Sequence, residues 1–129
     1  MKKVMIGIAI LALALAACGG GSDSDASDGS SGESAGPGDP VAGASVYSGV
    51  CSACHGGDLQ GIDGLGKQLA PSEFVADMTE EELAAFIIVG RAADDPENTQ
   101  GIAMPARGGD PSLSDQDMRD VAAYLKAQQ

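Results

Sequence analysis

Five residues near the middle of the chain restrict its fold more than any others: Cys51-Ser52-Ala53-Cys54-His55. Two thiols three positions apart are spaced to reach the two vinyl groups of one haem and form thioethers with them. The histidine that follows is then carried under the ring, with its imidazole toward the iron. A chain bound in this way has to fold around a rigid apolar plate. Two other uses of the pair fit less well. A thioredoxin-like redox pair needs a strand–helix setting that the flanking sequence does not offer. A zinc site needs a second Cys/His pair, and His55 is the single histidine of the chain.

The rest of the composition agrees with a cofactor at the centre. With 129 residues there is room for one small domain once a tail is removed. Tryptophan is absent and the aromatic side chains are Tyr47, Phe74, Phe86 and Tyr124. A domain so short of large side chains struggles to bury enough apolar area by itself. Nineteen acidic residues against seven basic ones give a formal net charge of -12, which repels nucleic acid as a partner.

A haem iron held by His55 needs a sixth ligand or an open position. With no second histidine, the candidates in the mature chain are methionines. Met118 lies on the apolar stripe of the last predicted helix, and Met78 sits at the entrance to another. Met104 precedes Pro105 in a Gly- and Pro-rich loop, and a loop methionine can be swung over the far face of a haem. Met104 is the preferred ligand, with an open or water-ligated iron as the alternative. His/Met ligation raises the reduction potential and blocks substrate access, which suits electron transfer rather than catalysis on a small molecule.

The N-terminus reads as an address and an anchor. Lys2 and Lys3 precede an apolar run from Val4 to Ala17, the length of a signal-peptide h-region and short for a membrane span. The run ends Leu15-Ala16-Ala17-Cys18, which resembles the lipobox of bacterial lipoproteins, so residues 1–17 are expected to be cleaved and Cys18 to be lipidated. Acyl chains on one cysteine hold a protein durably, at about 0.8 kcal/mol per buried methylene. Within residues 18–38, those after Cys18 are Gly, Ser, Asp, Glu and Ala with one proline, Pro37, and cannot form a core. They read as a flexible acidic linker reaching about 25 Å. Residues 39–129 are then the domain.

Within that domain Asp39-Pro40 signals a helix start, with the helix expected to reach about Val50. Residues 56–72 read as a Gly-rich loop whose Leu59, Leu65 and Leu69 line the proximal side of the haem. Thr79 and Glu82 form a capping box, followed by an inward stripe of Leu83, Phe86 and Ile87 and a stop at Gly90. Residues 91–110 form a distal loop. In it Arg91 is either a propionate contact or a surface charge, and Asn98, Thr99 and Gln100 are candidates to face the haem edge. Ser114 caps the last helix, on which Met118, Val121, Ala122 and Leu125 make a core stripe, and Lys126 suits that helix's C-terminal dipole.

From about residue 39 onward the chain resembles the class I monohaem cytochromes c. Gly43, Tyr47 and Cys51 follow at four-residue steps as in that family's N-terminal helix. Val121-Ala122-Ala123-Tyr124-Leu125-Lys126 resembles the C-terminal helix that it meets, and Met104-Pro105 matches the distal-ligand motif. The resemblance implies an all-α fold of three to four helices and Gly/Pro-rich loops around one covalent haem c. It implies that Pro71 supplies the carbonyl that accepts from the second ring nitrogen of His55. It also implies one-electron shuttling between membrane complexes rather than enzyme activity. Lysine-rich docking faces are absent, so the expected redox partner carries a basic patch. The alternative reading is the cytochrome c subunit of a larger membrane-associated dehydrogenase or oxidase complex. The expected location is the extracytoplasmic face of a bacterial membrane.

Overall fold

Asp39 starts the first helix as its residue types predict. Its side chain accepts from the N–H of Val41 at 2.8 Å and of Ala42 at 3.3 Å, while Pro40 occupies the first turn, where its missing N–H is not needed. The computed structural model describes residues 36–129. The expected signal peptide over residues 1–17, Cys18 and the expected linker up to residue 35 lie outside the described residues.

Helix α1 spans Pro40–Val46 and passes without a break into a π-turn, Tyr47–Cys51, and then into a short helix α2, Ser52–His55. Helical backbone therefore runs beyond the expected end at Val50 and carries the whole Cys-x-x-Cys-His segment. No proline or capping residue interrupts it. The widened turn, in which the N–H of Ser52 donates to the Tyr47 carbonyl, re-phases the residues that follow. Gly56, at φ 75°, ends this run.

Helix α3, Glu73–Asp77, was not expected. At five residues it is too short for a hydrophobic period, though Ser72 caps it by accepting from Val75 at 3.4 Å. Helix α4, Glu80–Val89, starts at the Thr79/Glu82 box, with both reciprocal bonds present, and stops at Gly90. A 3-10 turn, Ala106–Gly109, precedes helix α5, Asp115–Lys126. Ser114 caps α5, and Asp117 returns the bond to the Ser114 N–H, a second capping box. Among the described residues there are no strands, only two isolated bridges, Ile62 with Gly66 and Arg91 with Met104. Among the described residues the fold is all-α, as expected: the continuous run of α1, the π-turn and α2 is joined by α3, α4 and α5.

α1 crosses α5 at Gly43. A β-carbon there would overlap the Asp120 carbonyl, so the two backbones approach as only glycine allows. One turn on, Tyr47 packs against Tyr124 with ring centroids 5.4 Å apart. The expected stripe of α5, Met118, Val121, Ala122 and Leu125, is buried beside Tyr47, Val75, Leu83 and Ile87. Lys126 lies in the last turn of α5, as expected, and also reaches a second helix. Its ammonium donates to the carbonyls of Val75 (3.1 Å), Ala76 (2.8 Å) and Met78 (2.6 Å), closing the C-terminal end of α3. α4 also packs along α5, and these contacts leave an unfilled space between α2, α3, the C-terminal half of α4 and the distal loop.

Candidate functional site

That space is a cavity of about 610 Å3, open to solvent at its mouth and joined by an apolar recess of about 40 Å3. Protein interiors pack like crystals and leave few voids larger than a water molecule, so an opening of this size at the centre of a small domain is a place built for something else. Cys51, Cys54 and His55 stand in its wall, and so does Met104. Leu69, Phe74 and Phe86 supply much of the apolar surface.

The proximal side is built by close approach. The loop after His55 folds back on itself. Gly61 donates to the His55 carbonyl at 2.9 Å, and Ile62 and Gly66 exchange N–H···O bonds at 2.9 and 3.0 Å. Gly66 lies so close to Cys54 that a β-carbon would overlap the Cys54 carbonyl. This approach brings the next carbonyl, that of Lys67, to 2.7 Å from Nδ1 of His55. A carbonyl only accepts, so Nδ1 carries the proton and Nε2 keeps its lone pair for a metal.

The carbonyl implied for this role was that of Pro71, and here the structure corrects the expectation. Pro71 lies past the close approach, where the chain turns toward α3, and its carbonyl accepts instead from Gln68 Nε2 at 3.1 Å. The three leucines also divide. Leu65 and Leu69 line the cavity, whereas Leu59 is buried in the core and its carbonyl takes the N–H of Leu69 at 2.8 Å.

The thiols of Cys51 and Cys54 are free of disulfides. Burial, with a smaller effect of Cys54, pushes the Cys51 thiol up to about 11. Tyr47, 2% exposed, borders the recess and donates its hydroxyl to the Gly56 carbonyl at 2.6 Å. Burial first, then Cys51, Tyr124 and Asp58, hold that hydroxyl well above its ordinary pKa, so it remains a donor.

On the distal side, Met104 is half-buried and held by its backbone. It exchanges N–H···O bonds with Arg91, both 2.8 Å. Gly90, at φ 74°, makes room, since a β-carbon there would strike the Met104 carbonyl. Of the other two methionines, Met118 is fully buried in the core, as expected, and Met78 packs on the core's edge. Thr99 and Gln100 line the cavity. Asn98 does so as well, but its amide is used inside the loop, donating to the carbonyls of Ala92 and Ile102, each at 2.8 Å. Arg91, with 18% of its side chain exposed, faces the cavity and is no simple surface charge.

The residues present fit a haem. Apolar walls enclose enough volume, two thiols and an imidazole of the required tautomer stand together, and a thioether shares the space. An all-helical chain wrapped on such a cavity, with Cys-x-x-Cys-His in its wall, is a monohaem cytochrome c, an electron-transfer protein holding haem c covalently. A family model described as cytochrome c oxidase, cbb3-type, subunit III matches residues 38–125, and the chain belongs to that family. It is also similar to cytochrome c-555 of Chlorobaculum thiosulfatiphilum, with 28% identity over 90 residues that cover 70% of this chain and 96% of that protein. No solved structure matches.

Proposed function

We propose that this protein is a one-electron carrier of a bacterial respiratory or related electron-transfer chain, with the haem iron ligated by His55 and Met104. The observation that carries the reading is that His55 and Met104, far apart in sequence, share the wall of one cavity. Haem c, when bound, supplies one-electron cycling between Fe(III) and Fe(II). The chain's own residues do the rest. Cys51 and Cys54 keep the ring in place whatever happens at the axial positions. The Lys67 carbonyl orients His55 and increases its electron donation. The Met104 thioether, soft and neutral, favours the reduced state and closes the sixth position to small molecules. Phe74, Phe86 and Leu69 would give a bound haem apolar surroundings.

The proposal extends to the N-terminus. Residues 1–17 direct export, Cys18 carries the lipid and residues 18–38 are the leash of the 39–129 domain, at the extracytoplasmic face of the membrane. A basic patch on the partner answers the acidic chain. The family's description as an oxidase subunit favours a second reading, in which the domain is the cytochrome subunit of a larger membrane complex.

An absorption spectrum with a pyridine haemochrome assay on the exported protein tests the core of this. One haem c per chain is expected, with the ferric charge-transfer band of Met-to-iron bonding, lost in Met104→Ala. Carbon monoxide binding to the native reduced protein would count against Met104. Purification from native membranes separates the two readings, the protein emerging alone or bound to a larger complex. Mass spectrometry of the mature N-terminus checks the lipid on Cys18.

A further inference from the structure

The backbone bond between Arg91 and Met104 pins the distal segment at its two ends and leaves residues 92–103 to be held some other way. Asn98 gathers the middle. Its amide donates to Ala92 and Ile102, and its Oδ1 accepts from the N–H groups of Gln100 and Gly101, each at 3.0 Å. That makes the loop a unit, but a unit attached to nothing else. The attachment comes from the side chain of Arg91. Its guanidinium lies 5.2 Å from the centroid of the Phe74 ring and 4.9 Å from that of Phe86, two rings that line the cavity and meet edge to face. From there Nη2 reaches Glu97 Oε2 at 3.0 Å, Nη1 reaches the Glu97 carbonyl at 3.3 Å, and Asp95 lies at 4.0 Å.

One residue thus touches the Met104 backbone, the aromatic wall and the acidic loop. We infer that Arg91 is a positioning residue for Met104, locking the distal loop to the cavity wall so that the thioether stays directed into the site; this rests on the proposed His55/Met104 ligation. A planar cation suits the task. Its central carbon lies within cation–π range of both rings while its N–H groups donate to the loop, a combination that a compact lysine ammonium reproduces only in part. Arg91 is largely covered but the Glu97 side chain is 76% exposed, so the ion pair is screened by solvent and salt, and the contact of Arg91 with the two rings adds to it.

The experiment is a titration of the ferric holoprotein with imidazole, which competes with Met104 for the iron, read by loss of the charge-transfer band. Arg91→Ala and Glu97→Gln are each expected to raise imidazole affinity about threefold, the order that a solvent-exposed charge pair sets. Arg91→Lys should recover only part of the difference. In a Met104→Ala background neither substitution should change imidazole affinity further. Glu97→Gln leaves Arg91 and its ring contacts in place, so it decides the matter if Arg91→Ala does not fold. Affinities equal to that of the unaltered protein would overturn the inference while leaving Met104 as the ligand. So would an equal increase in the Met104→Ala background, since the residue would then govern access to the cavity. If the unaltered protein lacks the band, the ligation itself is wrong and the inference goes with it.

Discussion

The carbonyl facing His55 shows how much one residue's geometry decides. Nothing about a lysine side chain marks Lys67 as a partner of the imidazole; its backbone is used, and Gly66 puts it there. Gly66→Ala would drive a β-carbon into the Cys54 carbonyl, a backbone atom that cannot step aside. The expected cost is about 1–3 kcal/mol, typical of overpacking, measured by denaturant unfolding of the holoprotein. Displacing the Lys67 carbonyl also weakens its bond to Nδ1, making His55 a poorer donor and the ferric state less favoured. The reduction potential of the folded variant is therefore expected to rise. The same glycine shows why Pro71 misled: a proline is conspicuous in sequence, whereas a close backbone approach leaves no mark on the residue that benefits from it.

Among the elements, α1 and α5 are joined through a position where intrinsic propensity and packing disagree. In an isolated helix Gly43→Ala would stabilise by about 1 kcal/mol. At the crossing the new methyl group overlaps the Asp120 carbonyl, and parting the helices would also disturb the Tyr47–Tyr124 contact. Packing should win, with a net loss of about 1–3 kcal/mol in thermal or chemical unfolding. The start of α4 makes a simpler case. Thr79→Ala removes the acceptor for the Glu82 N–H and is expected to cost about 1 kcal/mol. Backbone bonding to Thr79, then its hydroxyl, holds the Glu82 carboxyl below its ordinary value. A depressed carboxylate adds stability at pH values above its unfolded pKa, and that share disappears as pH falls through the folded one. The difference between the unaltered protein and Glu82→Gln, followed by unfolding across pH, should accordingly be present at neutrality and vanish in strong acid.

Across the whole molecule, charge is distributed unevenly in use as well as in number. Among the described residues, Arg91 and Arg107 are committed to carboxylates, Arg119 to Gln116 and Lys126 to three carbonyls. Acidic side chains such as Glu73, Glu81 and Asp94 remain exposed. The field presented to a partner is consequently negative. Electron transfer to a basic partner is expected to slow steadily as salt is raised, with most of the change between about 0.01 and 0.15 M, as the screening length contracts from about 30 to 8 Å. Stopped-flow rates indifferent to ionic strength would remove electrostatic docking from the account.

What the sequence determined by itself was whatever depends on near neighbours. The Cys51–His55 motif, the Asp39 and Ser114 caps, the Thr79/Glu82 box and the stripe of α5 are all written within a few residues, because thioether spacing, capping and helical periodicity are local. Met104 was singled out by its place before a proline in a helix-free stretch, and the structure puts it in the cavity wall. Tertiary structure decided the rest. Which carbonyl meets His55, which helix Lys126 closes, why Leu59 leaves the haem side and what Arg91 stacks on are all set by contacts between residues distant in the chain. The physical reason is that these contacts depend on how closely backbones can approach, and that distance is a property of the packed pair rather than of either segment.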